Sequence, residues 1–339
     1  VQPPIEQADG AIEQAERSTE RTHGPIEQAE GPTEQAEGQP EQADGKAGQS
    51  GHTDELGDFQ AVRGRLFGIA YRMLGSVGDA EDVVQDAWLR WQGTDRRSVR
   101  NPAAFLTTTT TRLAINAVTT ARARRETYVG PWLPEPVDTS ADPALGAERA
   151  EGLELGVLLL LEKLAPAERA AYVLREAFDY AHRQVAEVLG TTEANARQLL
   201  SRARRHLAST RSTPVGRAEH RRLVEAFRAA ARSGDLAALE RLLAADVIAS
   251  SDGGGRVHAS RKDLYGVARV TTLLDNVLRK YWSESVIRVV PANGTESLLV
   301  AAADGTPEAL LALTATDRGV ERLFLVLNPD KLRQFAARG

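Results

Sequence analysis

At 339 residues with no cysteine, the chain has room for two or three domains and cannot form a disulfide or a thiolate metal site. Its six histidines never stand at a helical metal-binding spacing, no apolar run approaches the ~18 residues of a membrane span, and the N-terminus lacks a signal peptide's basic-then-apolar order; a cytoplasmic protein without membrane, metal or cofactor is expected. The net charge of −5 averages unlike parts: residues 1–50 hold 11 acids and 3 bases, 51–213 hold 21 of each, and 214–339 hold 15 acids and 18 bases. Residues 5–46 are six copies of a seven-residue unit such as IEQAEGP. A coiled coil needs two apolar positions per heptad, and these units carry at most one large apolar residue and repeated Gly and Pro, so 1–53 is expected to be a disordered acidic tail.

Leu56, Phe59, Val62, Leu66, Ile69 and Met73 fall at helical spacing and predict the first helix. Gly75 and Gly78 interrupt it, and Asp79 is placed to cap a second, whose Val83, Val84, Ala87, Trp88 and Trp91 share one face. Pro102 opens a third, running to Arg125 through five threonines, 107–111, whose β-branching alone would favour a strand. GPWLPEPVDTSADP, 130–143, reads as a proline-rich linker. Helices resume near Ala147, one opens at Pro166, and two more meet at Gly190-Thr191-Thr192 with the proportions of a helix-turn-helix. After a short linker at 213–216 come helices at about 218–232 and 235–244, a hairpin over DVIASSDGGGRVHA, a helix at about 262–281, and a run of antiparallel strands: an α+β domain.

Charge is segregated along this body. Residues 96–125 contain seven arginines and no acid, and 197–211 contain five arginines and no acid, the footprint expected of a DNA-binding surface. DAEDVVQDAW, by contrast, puts four acids within 79–86, which suits a basic protein partner and not DNA.

GDAEDVVQDAWLRW, then NPAAFLTTTTTRLAINAV…RARRE, then APAERAAYVLREAFDYAHRQVAEVLGTTEANARQLLSRARRHL resemble, in order and spacing over about 57–210, the two domains of extracytoplasmic-function sigma factors of the sigma-70 family. WLPEP (132–136), DGGGR (252–256) and NPDKL (328–332) resemble the signatures of a subgroup with a fused SnoaL-like C-terminal domain, similar to the cone fold of nuclear transport factor 2. The resemblance implies a multidomain protein: sigma domain 2 at 54–128, a linker at 129–146, an all-α sigma domain 4 with the helix-turn-helix at 147–212, and a SnoaL-like α+β regulatory domain at 217–335. Asp79, Glu81, Asp82, Gln85 and Asp86 would dock on core RNA polymerase. The loop at 92–101 and the helix carrying Arg112, Arg122, Arg124 and Arg125 would melt and read the −10 element, with Arg124 and Arg125 on phosphate. Glu193, Asn195, Arg197, Gln198, Ser201 and Arg202 would read the −35 element in double-stranded promoter DNA. Where the family commonly carries Asp and further bases, this chain has Asn116, Ala117 and Thr119. The subgroup is taken to be regulated from within, with no separate anti-sigma factor, and a small molecule could occupy its cone.

DGGGR lacks the Lys-Ser/Thr and the strand-to-helix setting of a phosphate loop. A catalytic reading would pair Asp252 with His258, as a cyclase or isomerase tethered to a DNA-binding module, and an ordinary ligand-sensing repressor is a third reading; the acidic helix argues against the repressor and the sparse His/Asp chemistry against the enzyme. A plain hairpin tip also fits the glycines. The reading adopted is a docking loop: Asp252, Gly253, Gly254, Gly255 and Arg256 receive Trp132, Pro134 and Glu135, with Glu135 clasping Arg256 and with Asn328, Asp330 and Lys331 closing the same surface.

Overall fold

The computed structural model describes residues 47–140, 153–208 and 213–336; the heptad repeats, the end of the linker and the helix start at Ala147 lie outside them. Helices α1 (Ala47–Leu74), α2 (Val77–Gln92) and α3 (Pro102–Glu126) pack on one another. The helical spacing in α1 buries Leu66, Ile69, Met73 and Leu74 completely. Ser76, not Asp79, caps α2: its hydroxyl accepts from the Asp79 amide at 3.3 Å, which leaves Asp79 in the first turn, where a carboxylate meets the positive end of the helix. Asn101 caps α3 ahead of Pro102. The threonine run is helical because Thr107, Thr110 and Thr111 lie on the buried side, and the Thr111 hydroxyl donates to the Thr107 carbonyl at 2.8 Å.

α4 (Leu155–Leu161), α5 (Pro166–Tyr172, continuing as a π-helical turn to Ala177), α6 (His182–Leu189) and α7 (Glu193–Ala208) follow. The last two form the helix-turn-helix. α3 packs against α5 and α6, so a single apolar cluster runs from Phe59 to Leu207.

The C-terminal domain comprises α8 (Arg217–Ser233), α9 (Leu236–Leu242), β1 (Leu243–Asp252), β2 (Leu264–Tyr265), α10 (Val267–Lys280), β3 (Val286–Ala292), β4 (Thr295–Ala301), β5 (Pro307–Thr316) and β6 (Gly319–Val326). Their order in the sheet is β2-β1-β6-β5-β4-β3. β3 to β6 form the expected antiparallel run, and β1 joins it parallel to β6, which the long excursion through α10 and β3–β5 permits. The expected hairpin over 246–259 is instead β1 with the two-residue β2, separated by the loop 253–263, and the helix expected from 262 begins at Val267.

Both faces of the sheet are covered, which explains strands such as SLLVA and LFLV that are apolar without alternation. Leu298, Leu311, Leu323 and Leu325 face Phe227, Val270 and Leu274 of the helices. Their neighbours Leu299, Leu310, Phe324 and Val326 pack instead against Leu133 of the linker, Leu155 of α4 and Leu332. The linker, α4 and the segment after β6 thus supply the second cover of the sheet. Among the described residues no helix is long and apolar enough to cross a membrane.

Candidate nucleic-acid interface and linker clasp

The helical period of α7 buries Ala196, Leu199, Leu200, Ala203 and Leu207, which leaves Arg197, Gln198, Ser201 and Arg202 on the outer face. Glu193 pairs with Arg197 one turn on. The Asn195 amide nitrogen donates to the Thr191 hydroxyl at 2.8 Å, so that side chain supports the turn. Arg202 leans back toward Glu168, at 3.1 Å.

The arginines of α3 are engaged within the protein. Arg112 Nε donates to the Val188 carbonyl of α6 at 3.1 Å, Arg122 to the Glu162 carbonyl at 2.8 Å, and Arg124 to the Asp79 carboxylate at 2.8 Å. Arg125 departs from the expectation of a phosphate contact. Its guanidinium bonds the Glu162 carboxylate and the Leu74 carbonyl, lies 3.6 Å over the Trp132 ring, and has a side chain only 14% exposed. The physical reason is local: α1 ends in unpaired carbonyls, which attract a cation. Burial lowers the Arg125 pKa, and Glu162 opposes that shift. On α2, Asp82, Gln85 and Asp86 are exposed, whereas Asp79 is held by Arg124 and Glu81 by Arg63 at 2.6 Å.

The linker lies between the first three helices and the sheet, fastened on both sides. On the sheet side the centre is Asp252, fully buried at the end of β1. Its Oδ1 accepts from the Tyr128 hydroxyl at 2.6 Å; its Oδ2 accepts from the Leu133 amide at 2.8 Å and from Lys331 Nζ at 2.6 Å. Lys331 also donates to the Leu133 carbonyl at 2.5 Å and stands 4.6 Å from the centre of the Trp132 ring. Burial lowers the Lys331 pKa, against the pull of Asp252. Asn328 donates to the Tyr128 hydroxyl at 3.0 Å. Gly254 has φ +57°, and a Cβ there would stand 2.8 Å from that hydroxyl, so the glycine admits the tyrosine.

On the helical side, Glu135 does not reach Arg256. Its amide donates to the Gly75 carbonyl at 2.8 Å, and its Oε2 accepts from the Val77 amide at 2.8 Å, one of the unpaired donors that begin α2. Arg256 pairs with Asp330 at 3.3 Å, both largely exposed, and Arg333 shares that carboxylate at 2.5 Å. Gly75, at φ +65°, lies under the linker; a Cβ there would meet the Trp132 ring at 2.8 Å and Pro134 at 3.5 Å. The Tyr71 hydroxyl donates to the Glu135 carbonyl at 2.6 Å and accepts from Asn293 at 2.7 Å. Asn293 also accepts from the Val137 amide at 3.0 Å and donates to the Leu153 carbonyl at 2.9 Å. Tyr71, Tyr128, Glu162 and Asn293 belong to no sequence motif; only the Asn293-Gly294 pair carries a local signal, that of a tight hairpin turn.

Asp252, considered in the sequence as an acid–base partner of His258, is fully buried, and its carboxylate accepts from Tyr128, Leu133 and Lys331.

Glu135 allows a pH test. Burial raises its pKa above the usual 4.5, with the Val77 amide opposing. Between 4.5 and the raised value the folded chain holds a proton that the unfolded chain has lost, so this group's contribution to stability falls as pH rises through that window. Glu135→Gln keeps an acceptor for Val77 and has no such titration. Its stability relative to the parent chain should therefore rise from pH 4 upward; a difference that stays constant from pH 4 to 7 in denaturant titrations would exclude a raised Glu135.

Comparison with known families places Sigma-70 region 2 on residues 59–124 and Sigma-70 region 4 on residues 155–207. The chain is 36% identical over 290 residues, 82% of its length and 93% of the relative's, to the ECF RNA polymerase sigma factor SigJ of Mycobacterium tuberculosis. It is 30% identical over 280 residues, 81% and 93% of the two chains, to the probable ECF RNA polymerase sigma factor SigI of the same organism. The crystal structure of that SigJ superposes with a TM-score of 0.67 at 34% identity, covering 82% of this chain and 98% of the other.

Proposed function

Because the chain belongs to the extracytoplasmic-function sigma factors of the sigma-70 family, we propose that its own C-terminal SnoaL-like domain sets its activity by holding the linker between the two promoter-reading regions. The observation that carries this reading is Asp252, buried at the end of β1: it accepts from the Leu133 amide of the linker, from Lys331, which also holds the Leu133 carbonyl, and from Tyr128 just before the linker. An internal clasp of this kind takes the place of a separate anti-sigma factor. The domain acts without covalent chemistry, and the protein works in the cytoplasm with core polymerase.

Within that reading, 54–128 and 147–212 are the two sigma domains and 217–335 the regulatory one. Asp82, Gln85 and Asp86 form the polymerase-facing surface, with Asp79 and Glu81 released to it when Arg124 and Arg63 exchange partners. Arg197, Gln198, Ser201 and Arg202 enter the major groove at the −35 element, supported by Glu193 and Asn195. Arg112, Arg122, Arg124 and Arg125 contact the −10 region once the packed form opens and frees them from their internal partners. The test begins with core binding. Asp82→Ala/Gln85→Ala should lower affinity for core polymerase about tenfold with helical content unchanged, and promoter-specific run-off transcription should fall in step. Parental affinity in the double variant would mean that another face docks.

A further inference from the structure

A cavity of about 750 Å³ opens on the face of the sheet opposite the linker clasp. Its floor is apolar, formed by Leu273 and Val277 of α10, Trp282, and Leu325 and Leu327 at the end of β6. This volume lies in the range of sites for small organic molecules. Polar groups line it as well, and of these Lys280 and His258 are exposed. Glu308 lines it too, and its carboxylate accepts from the Ser285 hydroxyl at 2.5 Å. Lys280 is exposed and faces the Tyr281 ring at 5.4 Å. An apolar floor with an accessible cation suits an apolar molecule carrying one negative charge.

The cavity and the clasp share their walls. Successive residues of a strand point to opposite faces. Ser251 lines the cavity while Asp252 holds the linker; Leu325 and Leu327 line the cavity while Val326 packs on the linker side and Asn328 bonds Tyr128. The loop that rounds the end of β1 repeats the arrangement. Val257 to Ser260 line the cavity, the Ser260 amide donates to the Ser251 hydroxyl at 3.0 Å, and a Cβ on Gly130 of the linker would stand 3.6 Å from the Ser260 carbonyl oxygen.

We propose that this cavity binds a largely apolar small molecule bearing one anionic group, met by Lys280, and that its occupancy is transmitted through 251–260 and the end of β6 to the linker. The inference rests on the reading of Asp252 as the linker's anchor. The full chain is titrated with 8-anilinonaphthalene-1-sulfonate and with its neutral analogue N-phenyl-1-naphthylamine. Both should bind saturably with one site. Leu273→Trp fills the floor, and Asn276→Trp, at an exposed position of α10 lining the mouth, obstructs entry without touching the core; each should weaken both probes about tenfold or more. Lys280→Gln should weaken the sulfonate about fivefold and leave the neutral probe unchanged. Hydrogen exchange of the Leu133 amide, which bonds Asp252, should change at least about threefold when the sulfonate saturates the protein. Unchanged binding in both tryptophan variants, or no saturable binding at all, overturns the site. Equal effects of Lys280→Gln on the two probes overturn the anionic group. A Leu133 amide that is slow to exchange but indifferent to the bound probe overturns the transmission and leaves the anchor standing; one that exchanges freely in the unliganded protein removes the anchor itself.

Discussion

Replacing Lys331 with Met should destabilise the C-terminal domain by about 3–5 kcal/mol and release the linker. Methionine keeps the length and apolar stem of the side chain but leaves the Asp252 carboxylate with no countercharge at a position fully removed from water. The remaining donors, the Tyr128 hydroxyl and the Leu133 amide, were already in use. A buried charge stripped of its partner is far costlier than the intact pair is favourable, so the companion change Asp252→Asn should recover most of the loss in the Lys331→Met background. In that double variant the asparagine oxygen accepts from Leu133 and its amide faces the Tyr128 oxygen. Urea unfolding measures the stability and hydrogen exchange at Leu133 measures the linker. If Lys331→Met costs less than about 1 kcal/mol, the pair is hydrated in solution and does not anchor the linker.

The same buried pair shows where sequence reading stops. α2 and the helix-turn-helix were legible because each carries its own period: Val83, Val84, Ala87 and Trp91 define one face without reference to any other part of the chain, and so do Ala196, Leu199 and Leu200. The resemblance of the three motifs brings the 252–256 loop, the linker and Lys331 to one surface, but aspartate at 252 reveals nothing locally about bonding a lysine 79 residues later and an amide 119 residues earlier. The inward turn of Arg125 is hidden for a related reason. A run of arginines has no sign for inside or outside, and the carboxylate that draws this one inward stands 37 residues away. Glu135 takes the Val77 amide and not the expected Arg256, because any exposed guanidinium looks suitable in the sequence whereas the unpaired amides at the start of α2 compete at shorter range. The parallel pairing of β1 with β6 likewise depends on how far the intervening chain travels, which alternation in the strands does not encode.

Glu162→Gln should open the packing between the two sigma regions. The Glu162 carboxylate stands between two guanidiniums: it bonds Arg125, and it accepts from Arg169 Nη1 at 2.8 Å. Arg169 is fully buried and also donates to the Met73 carbonyl at 2.6 Å, beside the Leu74 carbonyl that Arg125 takes, so the pair of cations caps the end of α1. Burial lowers the pKa of both arginines and Glu162 is the largest opposing influence on each, which makes one carboxylate responsible for neutralising two desolvated charges. A neutral glutamine leaves those cations facing each other, at a cost of about 3 kcal/mol or more to the packed arrangement. Positions −10 and −35 are roughly 85 Å apart on straight B-form DNA, taking 3.4 Å per base pair. Helices as close as α3 and α6, with Arg112 bonded to the Val188 carbonyl, cannot read both at once. The packed form must therefore open for promoter recognition, and a variant that opens it should gain in promoter binding what it loses in compactness. Small-angle scattering should show a larger radius of gyration for Glu162→Gln, and run-off transcription at low core polymerase should rise. Glu162→Asp, which keeps the charge, should stay near the parent. An unchanged radius in the glutamine variant would show that the shared apolar cluster from Phe59 to Leu207, not this triad, keeps the two regions together.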